Sequence, residues 1–279
     1  MDIPFESFAD LVYRMGHPPD SKKRSLPDGS SPKLPPEKIF LSWINHHGRP
    51  LARHTGKRLF RLLFPHDGTR RRYGLKEKRL AVHLESILCI KGLAQWDCVD
   101  WEKGGVGGTG CLGQEVHNSM ARKLPPETKS NLTLSELDKL LDQLAAPSPY
   151  SQLSIPPVDP PDPVVILRQL FRDSNLSANA LGVLVQVIMR DLRPLLCPLP
   201  TMRTRHPTAM LRLKITAAPQ PLNMHLAMWC WNPVMARLYR DGKGDIDWCA
   251  DAAESVSSSP GQVIPVPPGP VLGVNVQVC

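Results

Sequence analysis

The amino-acid sequence predicts an all-α fold, and three patterns support that prediction. Apolar residues recur at helical spacing over seven or eight segments, and clusters of proline separate these segments. No segment before residue 200 shows the alternation of apolar and polar residues that is typical of a strand. Of the 279 residues 42% are hydrophobic, so the chain can bury a sizeable core. Its 30 prolines each fix φ and remove a backbone donor, so their clusters predict loops.

The helical periodicity divides the first 200 residues into a series of short helices. They are predicted at residues 4–15, 37–47, 56–64, 75–90, 112–122, 133–145, 164–172 and 177–191. The segment 133–145 gives the clearest signal, because Thr133 and Glu136 have the spacing of a capping box. Ser177 is the expected N-cap of the last of these helices. Together they form one predicted domain, residues 1–200.

Residues 201–279 give weaker signals and predict a poorly ordered C-terminal extension that is partly helical and then rich in Pro and Ser. Residues 222–238 favour a helix that is broken near Pro233. Residues 255–270 are expected to be flexible. Residues 271–278 have strand character but no predicted partner strand.

The positive charge is concentrated in one part of the chain. The net charge is +8, and residues 49–79 alone carry eleven basic residues against two acidic ones, Asp67 and Glu77. A localised basic surface is typical of proteins that bind a polyanion, most often nucleic acid. A solvated surface, or a nuclear import signal at Arg70, Arg71 and Arg72, would produce the same run. Both interpretations remain open at this point.

Other compositional features narrow the class of protein. No apolar stretch is long enough to span a bilayer, and the first residues lack the pattern of a signal peptide. Seven scattered cysteines without a C-x-x-C pair predict free thiols rather than a disulfide framework or a zinc site. We therefore expect a nuclear or cytosolic protein with no membrane partner and no bound metal.

Five segments stand out, in order, along residues 3–197. They are Ile3-Pro4-Phe5-Glu6-Ser7-Phe8, Arg72-Tyr73-Gly74-Leu75-Lys76-Glu77, Gly110-Cys111-Leu112-Gly113-Gln114-Glu115-Val116, Leu132 through Ala145, and Leu170-Phe171 through Arg193. Together they resemble the N-terminal DNA-binding domain of eukaryotic ATP-dependent DNA ligases, and fungal DNA ligase IV-like proteins most of all. The third is similar to a G-D-x-(G/A) segment, with Cys111 in place of the acidic residue. The last ends in Asp191-Leu192-Arg193, similar to a D-L-(R/K) signature. A small residue is usual in ligases where Pro194 stands.

The resemblance implies a helical domain that wraps double-stranded or nicked DNA and contacts phosphates without reading sequence. It implies a nuclear role in DNA repair, recombination and non-homologous end joining, with end-joining proteins as further partners. The residues expected to contact DNA are Arg70, Arg71, Arg72, Gly74, Lys76, Lys78, Arg79, Arg190 and Arg193, together with the glycine-rich loop 104–110. Two of these assignments have alternatives: Gly74 also suits a turn into a helix, and the two last arginines also suit a helix C-terminus.

The catalytic signature of a ligase is absent from the sequence. Ligases transfer AMP to the lysine of a K-x-D-G motif. The three Asp-Gly pairs, at Asp28, Asp67 and Asp241, are preceded two positions earlier by Leu26, Pro65 and Tyr239. We therefore expect no catalytic residue and no adenylation domain, and ATP and Mg²⁺ are implied only for a full-length ligase.

Three hypotheses follow for the function. The first is a DNA-binding module of ligase descent. The second is a ligase whose catalytic domain is missing from this sequence or lies on another chain. The third is a helical protein-interaction scaffold that has lost DNA binding. Strongly salt-dependent duplex binding would distinguish the first from the third.

Overall fold

The chain is seen here as a computed structural model. It describes residues 2–19, 34–47, 51–68, 70–95, 111–153, 162–196, 222–241 and 245–258. Within these ranges the chain is helical, and the only β-type pairing is an isolated antiparallel bridge between Pro4 and Thr133. The all-α prediction is confirmed.

Twelve α-helices are described. They are α1 Phe5–Gly16, α2 Pro36–His47, α3 Thr55–Leu63, α4 Glu77–Leu88, α5 Leu112–Ala121, α6 Leu134–Ala145, α7 Pro163–Arg168, α8 Ala178–Ile188, α9 Arg193–Leu196, α10 Met224–Trp231, α11 Pro233–Asp241 and α12 Ile246–Ser258. A 3₁₀ turn, Leu93–Gln95, follows α4, and α7 continues into a π-helical turn, Gln169–Asp173. All eight predicted helices are present, with ends that differ by a few residues.

The helix starts form as their local sequences indicate. Thr133 and Glu136 make the predicted capping box at α6, with both reciprocal hydrogen bonds present. The Ser177 side chain accepts a hydrogen bond from the Ala180 N–H at the start of α8. The Glu6 carboxylate of α1 accepts two further hydrogen bonds, from the Ser177 backbone N–H and hydroxyl, and so ties the start of α8 to α1.

One hydrophobic core joins the helices of both halves of the sequence. Helix α1 packs on α2, α8 and α9, while α5 packs against α8. Helix α10 packs on α2, and α12 packs on α3. The last three helices contribute buried residues to this core, among them Met228 and Cys249. Residues beyond 200 therefore contribute to the packing of α2 and α3.

The C-terminal region is more helical than its sequence suggested. The predicted break near Pro233 is confirmed, since α10 ends at Trp231 and α11 begins at Pro233. Helix α12 was not predicted, and the expectation of flexibility is wrong for residues 255–258. The apolar stripe that drives it consists of Ile246, Cys249, Ala250 and Ala253. The strand-like residues 271–278 lie outside the described residues.

Candidate nucleic-acid interface

The basic segment 49–79 folds into two parts with different electrostatic surroundings. Its first part forms α3 and the residues just before it, and its second part is an extended stretch that leads into α4. The side chains of the first part lie against α6 and α12, both of which present carboxylates. The second part projects basic side chains into solvent. The predicted polyanion-binding surface is thus already partly neutralised within the chain.

Arg71 is buried inside the domain and held by α6. It is 8% exposed, and its guanidinium donates to the Asp138 and Asp142 carboxylates and to the Asp138 backbone carbonyl. These two carboxylates, with nearby Tyr73, hold the pKa of the guanidinium above its ordinary value although burial alone would lower it. Arg71 is therefore engaged inside the domain, and its contact with DNA stays a prediction that this pairing disfavours.

Arg61 and Arg70 bind acidic residues at the start of α12. Arg61 donates to both oxygens of the Asp247 carboxylate, at 2.7 and 2.6 Å, and lies 3.4 Å from Asp138. Arg70 donates to Asp245 at 3.0 Å and remains 43% exposed. Burial would raise the pKa of Asp247, but hydrogen bonding to Arg61 and the charges of Arg61, Lys57 and Arg70 lower it. Asp247 is therefore a buried, ionised partner of α3.

Further along α12, two more carboxylates meet the N-terminal end of α3. Asp251 lies 2.9 Å from Lys57 Nζ and 2.7 Å from His54 Nδ1. The Glu254 carboxylate accepts hydrogen bonds from the backbone N–H groups of His54 and Gly56. Helix α12 therefore covers this face of α3 with one continuous row of acidic side chains.

Beyond Arg71, the basic side chains of the second part of the segment lie in solvent. The side chains of Arg72, Lys76, Lys78 and Arg79 are all exposed. We call these four residues the outer basic face. Lys76 is the N-cap of α4, and its side chain makes no capping hydrogen bond. Because helix N-termini and basic side chains both favour anions, this face has the features of a phosphate-binding surface.

Gly74 lies in the middle of the outer basic face and turns the chain into α4. Its φ is +64°, in the left-handed region that favours glycine. A Cβ at this position would lie 3.3 Å from the Ser148 hydroxyl. The turn interpretation of Gly74 therefore has a direct structural basis, and its exposure leaves the backbone open to a ligand.

Arg190 and Arg193 both lie close to the C-terminus of α8, where each is engaged within the chain. Arg190 donates to the backbone carbonyls of Pro65, His66 and Gly68, so it holds the turn that precedes the outer basic face. Arg193 makes a two-bond ion pair with Asp191, at 2.8 and 2.9 Å. Burial and the nearby charge of Arg72 lower the pKa of Arg190. Arg190 therefore positions a turn beside the face that carries Arg72.

Three other sequence features concern the loop 104–110, metal ligands and membrane spans. The glycine-rich loop 104–110 lies outside the described residues. Among the residues described, no cluster of three or more His, Cys, Asp or Glu could hold a metal ion. Over the same ranges, no helix has the length and apolar character that crossing a bilayer requires.

The acidic face of α12 is the main feature that the sequence analysis missed. Asp247, Asp251 and Glu254 follow the spacing of one helix face, which is a visible signal once residues 246–258 are assigned to a helix. The pairing with Arg61 and Lys57 crosses more than 180 residues of sequence. No local pattern specifies such a partner.

The fold and the outer basic face define a helical domain with an exposed basic surface. Residues 4–196 match the family described as DNA ligase N terminus. Since this range is more than half of the chain, the protein belongs to that family, and the resemblance to ATP-dependent DNA ligase N-terminal domains is confirmed at that level. No curated protein matched the sequence. Membership gives the chain a ligase-related role, with DNA as the partner that the family suggests.

Proposed function

We propose that the protein binds duplex or nicked DNA through backbone phosphates, and that the outer basic face is its principal contact surface. The observation that carries the proposal is the contrast between Arg72, Lys76, Lys78 and Arg79, which are exposed, and the basic residues of α3, several of which are covered by carboxylates. Phosphate contacts supply affinity without sequence preference. Arg70 and Arg193 have a smaller share, because each is bound to an aspartate.

The wider context follows from the resemblance to fungal DNA ligase IV-like proteins. On that resemblance we propose a nuclear protein of DNA repair and end joining, with end-joining proteins as partners. Any ATP- and Mg²⁺-dependent ligation would need a K-x-D-G lysine, which this sequence does not contain. The chain's own part in ligation would then be to hold the DNA.

The test compares wild type with a variant in which Arg72, Lys76, Lys78 and Arg79 are all changed to Ala. Binding to a nicked duplex of about 30 base pairs is followed by fluorescence anisotropy from about 0.05 to about 0.3 M salt. We expect weaker binding, and a log–log salt slope flattened by about 0.9 for each phosphate that the variant no longer neutralises.

A matched control removes four other exposed cations, Arg14, Lys38, Lys91 and Lys129. It loses the same charge but keeps the outer basic face, so it should bind nearly as wild type does. Equal weakening in both variants would show a general charge effect and contradict the assigned surface. No binding by wild type at the lowest salt would contradict DNA binding itself and favour a protein-interaction scaffold.

A further inference from the structure

The outer side of α10 presents a tryptophan to solvent. Trp229 is 39% exposed, and Leu226, one turn earlier, is 46% exposed. Trp231 of the same helix is only 7% exposed and packs against Phe60 of α3. Helix α10 therefore buries one side in the core and leaves a large apolar ring on the other. Tryptophan side chains in this position are enriched at binding surfaces.

Two neighbouring side chains hold the Trp229 ring. His225, one turn earlier on α10, meets it edge-on, with ring centroids 6.3 Å apart and planes at 71°. The Arg237 guanidinium of α11 lies over the ring, 5.8 Å from its centroid, within the range of a cation–π contact. A ring fixed in this way loses little conformational entropy when a ligand stacks on it. We call His225, Leu226, Trp229 and Arg237 the Trp229 patch.

The charge around the Trp229 patch is positive. Residues 222–240 contain no Asp or Glu. Asp241, which follows them, is paired with Arg240 at 3.0 Å and does not offset the other arginine of α11. On α2, Glu37 acts on a different side of α10, at Cys230, where burial and the charge of Glu37 raise the pKa of the thiol. An exposed aromatic ring beside a cation is the combination with which proteins bind single-stranded nucleic acid.

Helix α11 joins the Trp229 patch to the outer basic face. It runs from Pro233, next to the end of α10, to Asp241. Four residues later Asp245 accepts a hydrogen bond from Arg70, which lies two residues before Arg72 of the outer basic face. The nine residues of α11 span about 14 Å at about 1.5 Å per residue, which about four stacked nucleotides cover at about 3.4 Å each. A strand that leaves a duplex on the outer basic face can therefore reach the ring.

We propose that the Trp229 patch binds an unpaired base at a DNA end, which stacks on the Trp229 ring while Arg237 pairs with a phosphate of the same strand. The bases of a duplex are already stacked on one another, so only an unpaired base can present its face to the ring. The proposal rests on the proposed DNA-binding function and adds a preference for ends with a single-stranded overhang. Aromatic rings stack on every base, so the preference is independent of sequence.

The test compares three DNAs by fluorescence anisotropy with the full chain. They are a blunt duplex of about 30 base pairs, the same duplex with an overhang of about four nucleotides in 3′ and 5′ versions, and the overhang duplexes with abasic sites in the overhang. We expect one or both overhangs to tighten binding about fivefold or more, the lower end of what stacking of one base contributes. The abasic overhang keeps the phosphates without the bases and should lose most of this gain.

The protein variants test the ring itself. Trp229→Ala should remove most of the gain from the overhang and leave binding to the blunt duplex unchanged, whereas Trp229→Phe should keep most of the gain. Tyr13→Ala is the matched control, because Tyr13 is 44% exposed and its ring also contacts a histidine, at 4.4 Å, but it lies on α1 outside the patch. It should show the same gain as wild type. If Trp229→Ala melts earlier than wild type, the abasic overhang makes the same comparison with the wild-type chain.

Three results would overturn the proposal. They are equal binding of blunt and overhang duplexes by wild type, a gain that survives in the abasic overhang, and a loss of the gain in Tyr13→Ala as large as in Trp229→Ala. Equal binding of all three DNAs would favour a protein partner for the patch. Absence of binding to every DNA by wild type would contradict the proposed function instead.

Discussion

Gly113 on α5 and Gly182 on α8 meet at the point where the two helices cross. A Cβ on Gly113 would lie 2.5 Å from the Gly182 carbonyl oxygen, and a Cβ on Gly182 would lie 2.8 Å from the Gly113 carbonyl oxygen. Both distances are shorter than real Cβ contacts. The small residue in the segment that resembles G-D-x-(G/A) therefore has a packing reason: it lets two backbones approach.

We expect Gly182→Ala to destabilise the domain by about 1–3 kcal/mol, because the added methyl group meets backbone atoms that cannot move alone. The higher helix propensity of alanine offsets about 1 kcal/mol of this. Urea denaturation measures the difference. Gly68→Ala is the matched control, since its nearest atom is 3.7 Å away, and it should change the free energy of unfolding by less than about 0.5 kcal/mol. Equal effects of the two changes would contradict the tight crossing.

The Arg61–Asp247 pair should be among the most sensitive contacts in the chain. Arg61→Met leaves the buried Asp247 carboxylate without its main partner, and we expect a loss of about 3 kcal/mol. Adding Asp247→Asn should recover part of that loss, and the double-mutant cycle gives the coupling. Arg240→Met is the control, because the Arg240–Asp241 pair is 66% and 67% exposed and should contribute below about 1 kcal/mol.

The free energy of unfolding should fall in acid, and protonation of Asp247 should account for part of that fall. Burial alone would raise the pKa of Asp247. The hydrogen bonds and charge of Arg61 and the charges of Lys57 and Arg70 outweigh burial, so the pKa in the folded state is lower than the ordinary 3.8. The resulting stabilisation is present above pH 3.8 and is lost as pH falls through the lower folded pKa. Asp247→Asn should show a smaller decrease in the free energy of unfolding over this acidic range. Parallel pH profiles for variant and wild type would contradict the assignment.

The sequence predicts local structure well here because the local signals are strong. The capping box at Thr133 and the break at Pro233 depend only on neighbouring residues, and both are present in the structure. The roles of the basic residues depend on distant partners. Arg71 and Arg72 are adjacent and chemically identical, yet one is buried against α6 and the other is exposed. Packing against α6, which no local pattern specifies, decides which of the two arginines stays exposed.

Arg190 ends α8 in a backbone conformation that usually belongs to glycine, and two substitutions test this. It follows α8 with φ 59°, and the N–H groups of Arg190 and Asp191 donate to the Val187 and Gln186 carbonyls, the pattern that usually places glycine here. Arg190→Gly and Arg190→Ala both lose the hydrogen bonds to the 65–68 turn, but only alanine keeps the strained φ. We expect the alanine variant to be less stable by about 1 kcal/mol, measured by urea denaturation. Equal stability would contradict this account of the helix end.

Thiol reactivity should follow the burial of the cysteines. Burial raises the pKa of the Cys111 and Cys249 thiols to about 12, whereas Cys89 is exposed. At pH 8 about one molecule in 10⁴ would carry the thiolate of either buried residue, and the thiolate is the reactive form. We expect iodoacetamide to label Cys89 in the native chain and all three residues in denaturant, with the sites read by mass spectrometry. Native labelling of Cys249 as fast as that of Cys89 would show that α12 leaves the core and would contradict its packing against α3.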